Sequence, residues 1–465
     1  MSDESSRSSR LEEYAARPRR ALWSMAIPIM AGMSIHTFYM ITDMVFVGWL
    51  GPDALAALAF NMPLVFLGLG VTFGLGTGVT ALIAQAIGAR DKVEADRAAE
   101  HAVAVGIVFS ALFTGAAYLW GEKLLAALGV PGHLLALAWE YLSVLAGGFV
   151  FLVMSVFFRS ILSGEGDMKT PMAIGAAGTL LNVFLDPLFI FALDMGVRGA
   201  AIATVVSQAL VAFVFVYLLF FREHTYVTFD LRNFRPSGRI VAAIIGIGAP
   251  ASFSFVVMAF GGAVFNRILV SFSEDAVAAY QVGVRLDHVV LLPMIAISAS
   301  LVTLVGMFHG ARRPDLVRNT LHYGVWWAVA IAAGLGVVFF ALAPVLAGMF
   351  SESPEIRSMA TGYLRITVLG YPCVAVSMPI GRALQGLGLG IPVLFLTLLR
   401  VLLVSAPLSI WFVFGLGLPV AWVWGAIVLG NVVAALTALA WLRSGLSRAA
   451  RTARGSQPAA AAAAP

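Results

Sequence analysis

Three polar side chains stand inside stretches that are otherwise apolar. Asp43 lies in Tyr39-Met-Ile-Thr-Asp43, and Asn182 and Asp186 lie in Leu181-Asn182-Val-Phe-Leu-Asp186-Pro187. An ionisable group at the centre of a membrane helix costs about 2.5–3.5 kcal/mol on insertion scales, so a carboxyl kept there asks for a reason. On a helix, His36, Tyr39 and Asp43 share one face, and Asn182 and Asp186 stand one turn apart on another. Pro187 lacks the N–H that would bond the carbonyl of Val183, which frees a backbone acceptor beside that pair. Oxygen-rich groups next to a loosened helix can hold a proton, a hydronium or Na⁺. Thr204 and Gln208 form a further i, i+4 polar pair that can complete such a site. The chemistry implied is reversible cation uptake. No nucleophile–base spacing stands on these segments, and the single Cys373 forms no disulfide or ligand pattern, so neither an enzyme, a cofactor nor a metal centre other than Na⁺ is expected.

The elements that must position these groups are membrane helices. The 465 residues are 60% hydrophobic and 11% charged, with a mean hydropathy of +0.94, far from the composition of a soluble domain. Twelve apolar stretches are long enough to span: 21–48, 56–84, 101–120, 134–162, 171–193, 197–221, 239–271, 277–307, 322–349, 357–384, 391–414 and 418–442. Most of the 29 Lys and Arg fall on one side if the N-terminus is cytoplasmic, two of them around the fourth and fifth spans; both termini are then cytoplasmic, in the cell's inner (plasma) membrane. The net charge of +5 therefore reflects topology, and nothing suggests nucleic acid. Residues 1–20 read as a basic cytoplasmic tail with no removable signal, 222–238 as a cytoplasmic linker, and 444–465 as a disordered tail.

The chain also repeats at a shift of 222 residues. Pro28 falls on Pro250, Asp53-Ala54 on Asp275-Ala276, and Gly88-Ala89-Arg90 on Gly310-Ala311-Arg312; Tyr141-Leu142 falls on Tyr363-Leu364, and Gly164 and Gly166 fall on Gly386 and Gly388. Matches held in one frame indicate a duplicated six-span unit, an architecture typical of secondary transporters. The expected fold is all-α, with twelve transmembrane helices in two pseudo-symmetric six-helix lobes, 21–221 and 239–443. The repeat breaks at the acids: Asp43 meets Phe265, and the second copy of the 182–186 stretch has no Asn or Asp. Coupling is therefore expected in the first lobe alone.

Pro28, Asp43, Val47-Gly48, Leu50-Gly51, Ala56-Ala57, Gly88-Ala89, Asn182…Asp186-Pro187 and Gly196-Val-Arg-Gly199…Thr204 together resemble the multidrug and toxin extrusion (MATE) family, over residues 21–443. The resemblance implies a monomeric exporter that exchanges a small organic cation or amphiphile for H⁺ or Na⁺ by alternating access across the lipid bilayer. The chain is similar to the DinF-like branch, whose coupling site lies in the N-terminal lobe. Asp43, Asn182, Asp186 and Thr204 match that site. His36 falls where the branch often has another polar residue, and Tyr39 and Tyr141 match aromatic positions facing the lobe cavity. With Gln208, these three are the expected cargo contacts. The NorM-like branch places acids in the seventh and tenth spans, which have none here before Glu274.

Three further expectations are structural. Arg285 and Asp287 are expected to serve structural ion pairing with other spans, Arg400 to snorkel by default, with a gate as the alternative, and the glycines of the 68–78 run to let helices approach closely. The rival function is a lipid-linked precursor flippase of the same two-lobe plan.

Overall fold

The computed structural model describes residues 4–222 and 225–455, and all regular structure among them is helical. The chain runs through α1 (Glu4–Ala16), α2 (Pro18–Gly48), α3 (Pro52–Gly88), α4 (Lys92–Ala127), α5 (Gly132–Gly147), α6 (Phe149–Gly164), α7 (Lys169–Pro187), α8 (Gly196–Val216), α9 (Gly238–Val270), α10 (Glu274–Gly310), α11 (Pro314–Gly348), α12 (Pro354–Thr367), α13 (Tyr371–Gly386), α14 (Ile391–Leu398), α15 (Ala406–Ile410) and α16 (Ala421–Gly455). Eleven helices are long and apolar enough to cross a membrane; α5 and α6, bent by 47° about Gly148, make a twelfth span. The fold is the expected twelve-helix membrane bundle.

Local chemistry sets the helix ends. Asp91 accepts the Glu94 N–H at 2.9 Å and Ser273 accepts the Ala276 N–H at 3.1 Å, each satisfying an orphan donor of a first turn. Proline opens α11 and α12, where a missing N–H costs nothing.

The repeat is written in the backbone. Helices α3 and α10 start and stop 222 residues apart. Arg90 (φ 57°) is matched by Arg312 (φ 55°), and Gly166 (φ 84°) by Gly388 (φ 86°). A Cβ on Gly164 would sit 3.1 Å from the carbonyl oxygen of Thr80; one on Gly386 would sit 2.6 Å from that of Val302, the matching carbonyl. Both copies of α7 also end in π turns, at Leu188–Ala192 and Trp411–Gly415. In the first copy the widened turn follows Pro187 directly, and the Leu193 N–H reaches back five residues to the Leu188 carbonyl at 2.9 Å.

Two compact units emerge, one of residues 27–87 and 91–252, the other of 1–26, 88–90 and 253 onward. Their borders differ from the lobes expected from the sequence. The first half of α9 belongs to the amino-terminal unit because small residues seat it against α3. Gly248 faces the Leu75 Cα, where a Cβ would come within 2.7 Å, and Gly74 and Gly78 leave no room for a Cβ beside Ser252 and the Ile244 carbonyl. The glycine run does close-packing work, as its composition suggested.

The linker is an ordered strap over its described residues. Glu165 accepts the N–H groups of Tyr226 and Val227, both at 3.0 Å. Asp96 accepts from Thr228, Glu100 from the Asp230 N–H, and His101 Nε2 from the Ser237 N–H. At the other end of the chain, α16 runs to Gly455, so the expected disordered tail is helical over 444–455; its Ala- and Arg-rich run is a good helix former. Residues 456–465 lie outside the described residues.

Candidate functional site

Four helices of the amino-terminal unit bring the predicted polar residues together. Helix α2 carries His36, Tyr39 and Asp43, α5 carries Tyr141, α7 carries Asn182 and Asp186, and α8 carries Thr204. A cluster of Val47, Ala54, Leu58, Ile190, Val197, Ala200 and Ala201, with the ring of Tyr141, forms the apolar bed beside them. Gly199 is indispensable to this arrangement: a Cβ there would come within 2.7 Å of the Phe189 carbonyl carbon, so only glycine lets α8 close on the π turn after Asp186.

Asn182 and Asp186 are 3% and 0% exposed, and the Asn182 Nδ2 donates to the Asp186 Oδ1 at 3.2 Å. The Asp186 Oδ2 has no donor among the described residues. The side chain of Asp43 is its hydrogen-bonding neighbour. Two carboxyl groups in contact cannot both stay charged without something positive between them, and a single proton or small cation satisfies both. Tyr39 lies beside Thr204, whose hydroxyl donates to the Ala200 carbonyl at 3.1 Å. The hydroxyls of Tyr39 and Tyr141 both lie in the field of the two acids. The His36 ring lies 5.8 Å from that of Tyr39. Of the predicted residues only Gln208 stands apart: its described contact is its carbonyl, which accepts from Ser155 Oγ at 3.4 Å.

The described residues contain no group of three or more His, Cys, Asp or Glu able to hold a metal ion. The oxygens at the site are two carboxylates, an amide, two phenols and a hydroxyl, hard ligands suited to a proton or an alkali cation.

The carboxyl-terminal unit corrects one expectation. Asp287 forms no ion pair with Arg285 or any other described cation; it accepts hydrogen bonds from Tyr363 at 2.7 Å and Tyr371 at 2.6 Å. Arg285 is exposed, because two residues of helix turn its side chain away from that of Asp287. Buried acids are therefore present in both units, at different registers. The repeat itself held the signal, since Tyr363 matches Tyr141: each copy turns the same tyrosine toward a carboxyl. Arg400, on the π-helical stretch Leu399–Ser405, is half-buried and lies within electrostatic reach of Tyr280, which stacks on the buried Trp424.

The MatE family model matches residues 28–188 and 250–424, one match per repeat. A probable multidrug resistance protein NorM from Thermotoga maritima is 28% identical over 89% of this chain and 90% of its own length. An FAD transporter from Shewanella oneidensis is 25% identical over 84% and 87%. A solved MOP superfamily transporter from Pyrococcus furiosus superposes with a TM-score of 0.89 at 31% identity, covering 93% of this chain and 97% of that one. With both repeats matched, the chain belongs to the MatE family of multidrug efflux transporters, a multi-pass membrane carrier and not an enzyme.

Proposed function

We propose that the chain is an antiporter that exports a small organic cation or amphiphile in exchange for H⁺ or Na⁺, coupled through Asp43, Asn182, Asp186 and Thr204. The observation that carries this reading is the pairing of the half-buried Asp43 carboxyl with the fully buried one of Asp186, which keeps an oxygen with no donor among the described residues. Such a pair is complete only with a cation in it. When the unit opens outward, a proton or Na⁺ enters and neutralises the pair; α2 and α7 then close together and the cargo leaves. When it opens inward, the cation departs, and the recharged carboxyls attract the positive group of the next cargo. Tyr39 and Thr204 hold the Asp43 face of α2 against α8 through both states, while His36 and Tyr141 line the aromatic side of the path.

The driving force is sufficient. Where one net positive charge enters per cargo expelled, that charge moved through 100 mV is worth about 2.3 kcal/mol. At roughly 1.4 kcal/mol per tenfold, that sustains a cargo gradient of about 40-fold. In this reading the protein is a monomer in the plasma membrane, and the distribution of Lys and Arg supports cytoplasmic termini. Its likeness to the DinF-like branch rests on the acids of the amino-terminal unit. The relative named as an FAD transporter makes a metabolite as suitable a natural cargo as a drug. A flippase is not favoured by relatives named for drug resistance and FAD transport.

The test is efflux of a fluorescent cationic dye from proteoliposomes under an imposed pH gradient or an imposed Na⁺ gradient, with wild type, Asp43→Asn and Asp186→Asn. One gradient should drive efflux in wild type, and each variant should lose at least tenfold of that driven rate. Driven efflux at the wild-type rate in both variants would remove the pair from the mechanism.

A further inference from the structure

Arg159 carries a charge that no described carboxylate answers. It stands five residues before the end of α6, beside Ser160, whose carbonyl accepts from the Thr80 hydroxyl of α3 at 3.0 Å. Helical side chains lean toward the N-terminus of their helix, so from this position the guanidinium reaches back into the bundle, away from the nearer helix end. Its Cζ lies 5.3 Å over the ring of Phe73, two turns deeper along α3 than Thr80. A snorkelling arginine would run the other way. Arg159 is half-buried, and it donates no hydrogen bond to a described residue. Part of its surface is therefore open beside the Phe73 ring.

The repeat sharpens the contrast. The nearest counterpart in the second copy, one residue off the match, is Arg382, which donates to the Gln385 Oε1 at 3.0 Å. In the first copy the five N–H donors stay available. A guanidinium is a planar fork that fits carboxylate or phosphate oxygens two at a time, and an aromatic face beneath it adds a surface for a flat cargo. His36 lies in the field of Arg159, and its ring adjoins Tyr39. Seven residues along α2, roughly 10 Å of helix, lead from His36 to Asp43. The unit thus presents a positive group and an acid pair to the same interior, spaced by about the length of a polycyclic aromatic molecule.

We propose that Arg159, with Phe73 and His36, is a subsite for the acidic group, carboxylate or phosphate, of an aromatic cargo, so that the carrier prefers molecules bearing both charges to simple cations. The inference deepens the export reading, yet its binding step stands without ion coupling. It is tested in detergent by fluorescence polarisation with a rhodamine bearing a free benzoate and the same dye as its methyl ester. Wild type should bind the free acid at least tenfold more tightly than the ester. Arg159→Gln should bring that ratio close to one, and Arg159→Lys, which keeps the charge and loses the fork, should restore part of it. Benzoate should displace the acid dye if the subsite suits carboxylates, and phenyl phosphate if it suits phosphates. A wild-type ratio near one, a ratio unchanged in Arg159→Gln, or displacement by neither competitor overturns the proposal. The Lys variant shows that a lost ratio is not lost folding. Should the ratio behave as expected while no gradient drives efflux of either dye, the antiport reading fails and the subsite stands.

Discussion

The strap over residues 225–237 ought to be held chiefly by Glu165, and the prediction can be worked through from geometry. Glu165 is 4% exposed and accepts two strap N–H groups at 3.0 Å. A hydrogen bond to a charged group contributes about 1.5–3 kcal/mol, so Glu165→Ala removes two worth roughly 3–6 kcal/mol together. The lower end applies, because the freed N–H groups regain water when the segment lifts while Asp96, Glu100 and His101 keep hold of its other residues. A loss of about 3 kcal/mol, at 1.4 kcal/mol per tenfold, raises local opening about a hundredfold. Glu165→Gln keeps one acceptor oxygen and should raise it about tenfold. Amide hydrogen exchange followed by mass spectrometry on the peptide covering 225–237 reads both numbers. Unchanged exchange in Glu165→Ala would mean that the strap is held elsewhere and that the reasoning from these two bonds is wrong. The strap matters to transport because it hands the chain to α9, whose first half belongs to the amino-terminal unit and whose second half does not. Loosening it should slow dye efflux without changing dye affinity.

Two glycines on α9 should respond to alanine with opposite signs. Gly248→Ala drives a methyl toward the Leu75 Cα at 2.7 Å and the Gly74 carbonyl oxygen at 3.0 Å, backbone that cannot move aside, and should cost about 1–3 kcal/mol in detergent unfolding. Gly246→Ala has nothing within 4 Å and should stabilise by about 0.4–1 kcal/mol; equal effects would refute the close approach of α3 and α9. In the other unit, Asp287→Asn should retain more than half of gradient-driven efflux, since an amide can still accept from Tyr363 or Tyr371 and the coupling pair is elsewhere. A loss as deep as that of Asp43→Asn would move coupling into the second repeat.

What could be read from the sequence, and what could not, follows from how local each signal is. Asn182 and Asp186 stand one turn apart on one helix, so their hydrogen bond is legible from spacing. The helix ends at Gly88 and Gly310 are equally local, fixed by positive-φ residues two positions on. For Gln208, spacing places a side chain on a face without saying which neighbour that face meets. The borders of the compact units differ from the expected lobes because they depend on the approach of Gly248 to α3, a contact between segments far apart in the chain. Arg159 was hidden by its position: near the end of the fourth span it counts as a topological charge, and only the direction of its side chain, inward over Phe73, separates it from the arginines that flank membrane helices.

The divergence of the two repeats has a physical logic. Duplication gave each copy the same tyrosine, Tyr141 and Tyr363, facing inward at the same height of the same helix. A phenol in a low-dielectric interior needs an acceptor, and a carboxyl is the strongest one on offer. In the second copy Asp287 accepts from two tyrosines, so its oxygens are both satisfied by protein and it has no vacancy for a cation. In the first copy the acids face each other, an amide serves one oxygen, and another oxygen is left without a donor. The same need is therefore met from within in one unit and from without in the other. A carrier requires a site that is incomplete by itself, and of the two acid sites among the described residues the one in the amino-terminal unit is left with an oxygen that lacks a donor.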